Sequence, residues 1–358
     1  MSSPTAPTED IEGVMATLAR DRDGDIVECT ACAHRCKLDP GQRGICRVRQ
    51  NVDGAFWLLT YGKVYDTPFG PAGTIDPVEK KPLYHFKPGS DVLSFGGASC
   101  NFACQFCQNN HLAFSPPEEL ELRDVSPEEA VESAIEQGAD GLAWTYNEPT
   151  IYAEYVRDGA KAAKAAGRYT ALVSNGYFTE EFLEEVGPHI DAINIDVKGF
   201  REGPHQKYMG SQLQPTLDSV ERVAERDIHL EVTYLVIPDL NDDPEELQEF
   251  ADWVRGIDPS IPVHFSRFHP DHEMRDRPPT PMSTLERAHE IAVDAGLEYV
   301  YVGNIRDQRF NSTLCPDCDQ TWVRRAGFDS DGCRESRRIV SLWPGDRRRH
   351  VIGVFPFG

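Results

Sequence analysis

Cys100, Cys104 and Cys107 share one short segment with the spacing C-x3-C-x2-C. Cysteine thiolates at this density hold iron–sulfur clusters, because a compact loop lets several sulfurs reach one cube. Three thiolates on a [4Fe-4S] cube leave one iron open to a further ligand. Zinc usually takes four ligands, and the nearest candidate for a fourth is His111. A three-cysteine zinc site using His111, or three inert thiols, are the alternatives. A second group, Cys29, Cys32, Cys36 and Cys46, has the first spacing reversed, C-x2-C-x3-C, followed by x9-C. It reads as a four-thiolate zinc site, a second cluster or unligated thiols. Cys315-Pro316-Asp317-Cys318 is half of a zinc ribbon whose other half is degraded. Cys333 is followed by Arg334 and Glu335, and Ser336 stands where a fourth cysteine belongs. A remnant that packs without metal is the competing reading. Arg334, Arg337, Arg338, Arg347, Arg348 and Arg349 form a basic tail, solvated by default.

These residues need a frame. Residues 91–304 alternate strand-like and helix-like patterns, with strands expected near Asp91–Gly97, Gly141–Tyr146, Tyr169–Val173, Asp191–Val197, His229–Ile237, Val263–Phe268 and Tyr299–Val302. Helix starts are marked by Ser126-Pro127-Glu128-Glu129, by Asp243-Pro244-Glu245-Glu246 and by Ser283-Thr284-Leu285-Glu286. Gly138, Gly167 and Gly296 sit where helices should stop. Alternation of this kind predicts an α/β fold with a parallel sheet. The stretch is short for a full eight-unit barrel, so a partial, open (β/α)6-type TIM-like barrel is expected, with chemistry at the C-terminal ends of its strands. The division is then 1–90, an irregular cysteine-containing extension; 91–304, the core; and 305–358, an irregular ribbon-like tail.

The strand ends carry polar groups. Glu148, in Tyr146-Asn147-Glu148-Pro149, can accept charge-assisted hydrogen bonds from an ammonium, or belong to a turn that starts a helix. Asn175-Gly176 follows the third strand and is also a common turn. Asn194, Asp196 and Lys198 share one face of the fourth, where Asp196 and Lys198 form either a ligand pair or a salt bridge. His269 follows the sixth.

A C-x3-C-x2-C loop after the first strand of a βα barrel resembles the radical S-adenosylmethionine (SAM) superfamily. That resemblance implies a [4Fe-4S] cluster on Cys100, Cys104 and Cys107 whose open iron chelates the amino and carboxylate groups of SAM. It places Phe106 near the adenine and Glu148 near the SAM amino group, as in the family's Gly-Gly-Glu segment, with Asn147 departing from that pattern. It places Asn175 near the ribose or carboxylate. The glycyl-radical activating enzymes suggest SAM contacts for Asp196 and Lys198, and an adenine-side role for His269. Further segments resemble the radical SAM member of the AmmeMemoRadiSam system, a pyruvate formate-lyase activating enzyme homologue. They are the N-terminal cysteines with Gly41-Gln42-Arg43-Gly44-Ile45-Cys46-Arg47-Val48-Arg49, Glu79-Lys80-Lys81-Pro82-Leu83-Tyr84-His85-Phe86, Thr145 to Thr150, and Val302-Gly303-Asn304. The implied activity is reductive cleavage of SAM to a 5′-deoxyadenosyl radical that abstracts hydrogen from a substrate, with an electron donor of flavodoxin or ferredoxin type. The implied targets are protein partners, AMMECR- or Memo-type proteins among them. Radical chemistry on a small metabolite and a zinc-binding interaction module with a vestigial barrel are the alternatives.

Bulk properties narrow the choice. The 358 residues carry 59 acidic and 36 basic side chains, a net charge of -23, and a nucleic-acid binder normally shows a basic face instead. Such an acidic coat suits either a salt-loving cytoplasm or ordinary solubility. There is no apolar run near the ~20 residues that span a bilayer and no secretory signal pattern, so no membrane partner and a cytoplasmic location are expected. In that compartment the ten cysteines should be thiols or metal ligands rather than disulfides.

Overall fold

The computed structural model describes residues 13–65, 73–305, 307–316 and 318–332. Its centre is a sheet of seven parallel strands in chain order: Asp91–Phe95, Gly141–Trp144, Tyr169–Ser174, Ala192–Val197, His229–Val236, Val263–Arg267 and Val300–Gly303. They are called first to seventh below. All seven expected strands are present, one more than a six-stranded partial barrel holds. The end strands are not paired with each other, so the sheet is open and shows no closed barrel. Period-two alternation sorts the two faces. Leu93, Leu142, Leu172 and Ile193 point to the helix-covered core, whereas Val92, Ala143, Ala171 and Ala192 pack on the other face against Val78, Leu83 and Phe86. The small residues there make room for the 78–86 segment.

Strand pairing crosses the boundary expected at residue 90. Strand Thr74–Pro77 pairs antiparallel with the first parallel strand, and Lys63–Tyr65 pairs with Leu122–Asp124. The extension is also not irregular. Val14–Met15, Ala55–Leu58 and Arg49–Val52 form one small sheet, and Ala19–Asp21, Val27–Cys29 and Lys37–Leu38 form another. Nor is the tail irregular where it is described: Thr313–Leu314, Thr321–Ala326 and Asp329–Gly332 form an antiparallel sheet. In the half-ribbon Cys315 is buried and Cys318 exposed. Asp317, Cys333, Ser336 and the arginine tail lie outside the described residues. Among the described residues no helix is long and apolar enough to cross a membrane.

The 78–86 segment is clamped by a buried carboxylate. Glu231 accepts from Tyr84 N at 2.9 Å, His85 N at 2.7 Å, His229 Nε2 at 2.9 Å and His264 Nε2 at 2.6 Å. Arg325, from the C-terminal hairpin, is fully buried and donates to Tyr84 O and to Thr313 Oγ1. Burial holds the His85 imidazole down at about 3, and His205 down at about 4. Unfolded histidine titrates near ~6.5, so the unfolded chain binds the extra protons. The stability these neutral rings confer is therefore complete above pH ~6.5 and is lost as pH falls toward their folded values. Urea unfolding at several pH values between 7 and 4.5 should show a falling unfolding free energy, by up to about 1.4 kcal/mol per pH unit for each ring. The slope should be shallower in His85→Gln, and an identical slope would contradict this origin.

Candidate active site

The cysteine loop begins where the first parallel strand ends. Its backbone is tied from several sides. Gly97 N donates to Asn147 Oδ1 at 2.9 Å, and Asn147 Nδ2 donates to Ser99 O at 2.8 Å. Asn175 Nδ2 donates to Asn101 Oδ1 at 2.8 Å, and His34 Nε2 lies 2.8 Å from Asn101 O. Ala103 N and Gln105 N donate to Met209 O and Tyr208 O. Asn147, the departure from Gly-Gly-Glu, thus has work of its own as the link between the first and second strand ends.

Cys104 is buried, and Cys100 and Cys107 are half-buried; all three are free thiols. They pack in one cluster with Phe102, Phe106, Tyr177, Met209 and Phe268. Burial pushes Cys104 up to about 12 and raises Cys100 and Cys107, while the Lys198 ammonium pulls Cys104 and Cys107 back toward the thiolate. Lys198 stands 6.0 Å from the Phe106 ring centroid and is ion-paired with Asp196. Burial opposes its charge, but Asp196 and the facing thiols outweigh burial and keep the amine protonated. Two buried polar atoms here, Asp196 Oδ1 and Asn101 Nδ2, have no hydrogen-bond partner among the described residues. Such atoms cost about 1–3 kcal/mol each unless something meets them. Among the described residues, no three His, Cys, Asp or Glu side chains stand ready to hold a single metal ion.

Glu148 is buried between the second and third strand ends. Its Oε1 accepts from Thr150 N, Thr150 Oγ1 and Ser174 Oγ, and its Oε2 accepts from Asn175 N at 2.8 Å. Burial nonetheless raises its carboxyl above the usual range, against those hydrogen bonds. Asn175 is held in turn: its Oδ1 accepts from Tyr177 N, and its carbonyl accepts from Thr216 Oγ1. Glu148, Asn175, Asp196 and Lys198 therefore gather around the loop that carries Phe106. His269 stands exposed beyond the sixth strand and is outside this network among the described residues. His111 lies in the short helix Asn110–Ala113, edge-on to Tyr65 rather than grouped with the three thiols.

Sequence pattern does not signal the backbone at Tyr146. Tyr146 adopts φ 70°, a left-handed backbone that bulky residues rarely take. Its hydroxyl donates to Asp76 Oδ2 at 2.6 Å, its carbonyl accepts from Asn109 Nδ2 at 2.8 Å, and Lys81 Nζ sits 4.7 Å from its ring centroid. Lys81 Nζ also bonds Asp76 Oδ2 at 2.6 Å, buried so that its amine drops to about 8 while Asp76 falls to about 2. Gly96 makes the room, since a Cβ there would lie 3.1 Å from Tyr146 Cδ2. This lattice fixes the turn that carries Asn147 and Glu148.

The sequence pattern of the radical SAM superfamily matches residues 96–254, which begin at this loop. Residues 96–254 form a radical SAM superfamily domain. Members of the superfamily are enzymes that use a [4Fe-4S] cluster and SAM. An uncharacterized protein of Methanocaldococcus jannaschii is 38% identical over 332 residues, covering 92% of this chain and 95% of its own length. The pyruvate formate-lyase 1-activating enzyme of Escherichia coli strain K12 is 23% identical over 174 residues, covering 48% of this chain and 70% of that enzyme. Among solved structures, Streptococcus suis SuiB bound to S-adenosylmethionine aligns at TM-score 0.48 and 14% identity, over 64% of this chain and 54% of SuiB.

Proposed function

We propose that this radical SAM enzyme holds its [4Fe-4S] cluster on Cys100, Cys104 and Cys107 and activates or modifies a protein partner. The observation that carries the reading is the grouping of those three free thiols at the end of the first parallel strand, beside the unpartnered Asp196 Oδ1 and Asn101 Nδ2. A polar cofactor with an ammonium and a carboxylate would satisfy both atoms. When bound, the cluster and SAM supply the one-electron cleavage that yields a 5′-deoxyadenosyl radical.

The chain's own residues bind and orient. Phe106 offers an apolar surface beside the thiols. Asp196 Oδ1 would accept from the SAM ammonium, and Lys198 would offset the negative charge of the thiolates. Glu148 has one lone pair left on Oε2 for SAM, and its other bonds keep Asn175 against Asn101. His269, at the rim, takes the adenine side. The name of the Escherichia coli relative, an enzyme that activates pyruvate formate-lyase, supports a protein target, and the sequence resemblance supports a flavodoxin- or ferredoxin-type donor. Sequence resemblance favours AMMECR- or Memo-type proteins as targets, with residues 91–304 as the catalytic core. Anaerobic reconstitution with iron, sulfide, dithionite and SAM tests the reading. The expected product is 5′-deoxyadenosine, and its absence from cluster-loaded protein would overturn it.

A further inference from the structure

Four more thiols gather on the N-terminal side. Cys29, Cys32 and Cys46 are buried, Cys36 is half-buried, and none is in a disulfide. Local structure brings them together. Strand Val27–Cys29 pairs with Lys37–Leu38, and Cys29 N donates to Cys36 O at 2.9 Å. The chain then turns back through Gly44, whose N–H donates to Arg49 O at 2.9 Å. A Cβ on Gly44 would lie 3.8 Å from Cys36 Sγ and 3.7 Å from Cys46 Sγ, so those two sulfurs flank one point. Cys32 and Cys46 lie within electrostatic reach of each other and of Cys29 and Cys36. The buried Arg49 guanidinium faces Cys29 and Cys46 while bonded to Glu154. Inert buried cysteines behave as small hydrophobes. Four that share one nest, beside a buried cation, form a ligand set for a thiophilic centre.

The nest is also docked on the candidate active site. Ala33 N donates to Tyr177 O at 2.9 Å, Thr179 Oγ1 donates to Thr30 O, and His34 Nε2 meets Asn101 O. Cys32 packs in the same side-chain cluster as Cys104 and Phe106.

We infer that Cys29, Cys32, Cys36 and Cys46 form a second metal site, closed by four thiolates, that binds zinc or a [4Fe-4S] cluster and clamps the 30–34 turn onto the cysteine loop. Four protein sulfurs leave no coordination position open, so the site positions and does not react. Either centre is anionic with four thiolates, and Arg49 faces that charge. Among the described residues the sulfurs do not converge on a single ion, so a bound centre would have to draw them together.

The test removes the first site and counts what remains. The full chain with Cys100→Ala, Cys104→Ala and Cys107→Ala is loaded anaerobically, once with zinc and once with iron and sulfide, then desalted and analysed for metal and acid-labile sulfide. The expected result is about one zinc, or about four irons with sulfide, per chain, and the two arms tell the centres apart. Adding Cys36→Ser should at least halve that content. Neither metal retained by folded triple variant would overturn the inference, whatever the fate of the radical SAM reading. If the triple variant fails to fold, wild type and Cys36→Ser alone decide: the single change should remove only the second centre's share of the metal, and an unchanged metal content would overturn the inference.

Discussion

Cys104→Ala is expected to abolish SAM cleavage and to strip the loop of its iron. Cys104 is the most buried of the three thiols, and it faces Lys198 and Cys107 at the centre of the packed cluster. With a three-thiolate set no ligand is spare: losing one leaves two irons open, and the cube is no longer held. Outer-sphere partners of metal sites already cost about 10–100-fold when removed, so loss of a ligand should lower 5′-deoxyadenosine formation by more than about 100-fold. Iron should fall by about four per chain. Deleting one sulfur from a buried site leaves a small cavity, so circular dichroism should show a folded protein. Wild-type iron content and product yield in Cys104→Ala would place the cluster elsewhere.

The second large effect concerns stability. Glu231→Ala removes the acceptor shared by Tyr84 N, His85 N, His229 and His264, all deep in the protein. Breaking a buried, hydrogen-bonded carboxylate site typically costs about 3–5 kcal/mol, a large part of a total of about 5–15 kcal/mol. Urea unfolding should therefore show a much lower midpoint at neutral pH, and a loss under about 1 kcal/mol would contradict the hub. Burial alone would raise the Glu231 carboxyl, but His229 and His264 outweigh it and hold the group well below the usual carboxylate range. Its contribution is therefore complete above pH ~4.3 and is lost only as pH falls further toward the folded value. Since Glu231 holds the 78–86 segment, Lys81 and its bond to Asp76 should loosen with it.

The parallel sheet was legible because its strands are short apolar runs separated by helices with local punctuation. Ser126 and Glu129 form the expected reciprocal cap, Ser126 N to Glu129 Oε2 at 2.8 Å and Glu129 N to Ser126 Oγ at 3.2 Å. Asp243 caps its helix through Glu245 N and Glu246 N. Ser283 does not cap: that helix starts at Met282, and the extended Pro281 ahead of it is the N-cap. The boundary therefore falls two residues earlier than the serine signal placed it. Strand Thr74–Pro77 carried no signal, because an edge strand that ends in proline is defined only by its pairing with Asp91–Phe95. In the site, the cysteines and the polar strand ends were readable from type and position. The left-handed Tyr146 was not, because it depends on Asp76, Lys81 and Gly96, partners far away in the chain. Nor could sequence show that Glu148 would spend most of its lone pairs on Thr150, Ser174 and Asn175.

Low-temperature EPR of the dithionite-reduced protein, before and after one equivalent of SAM, asks directly whether the loop cluster has an iron open to that ligand. A component that shifts on addition in wild type, and is missing in Cys104→Ala, is the expected result. Reduced-cluster signals with no component that responds to SAM would contradict a three-cysteine cube at Cys100, Cys104 and Cys107.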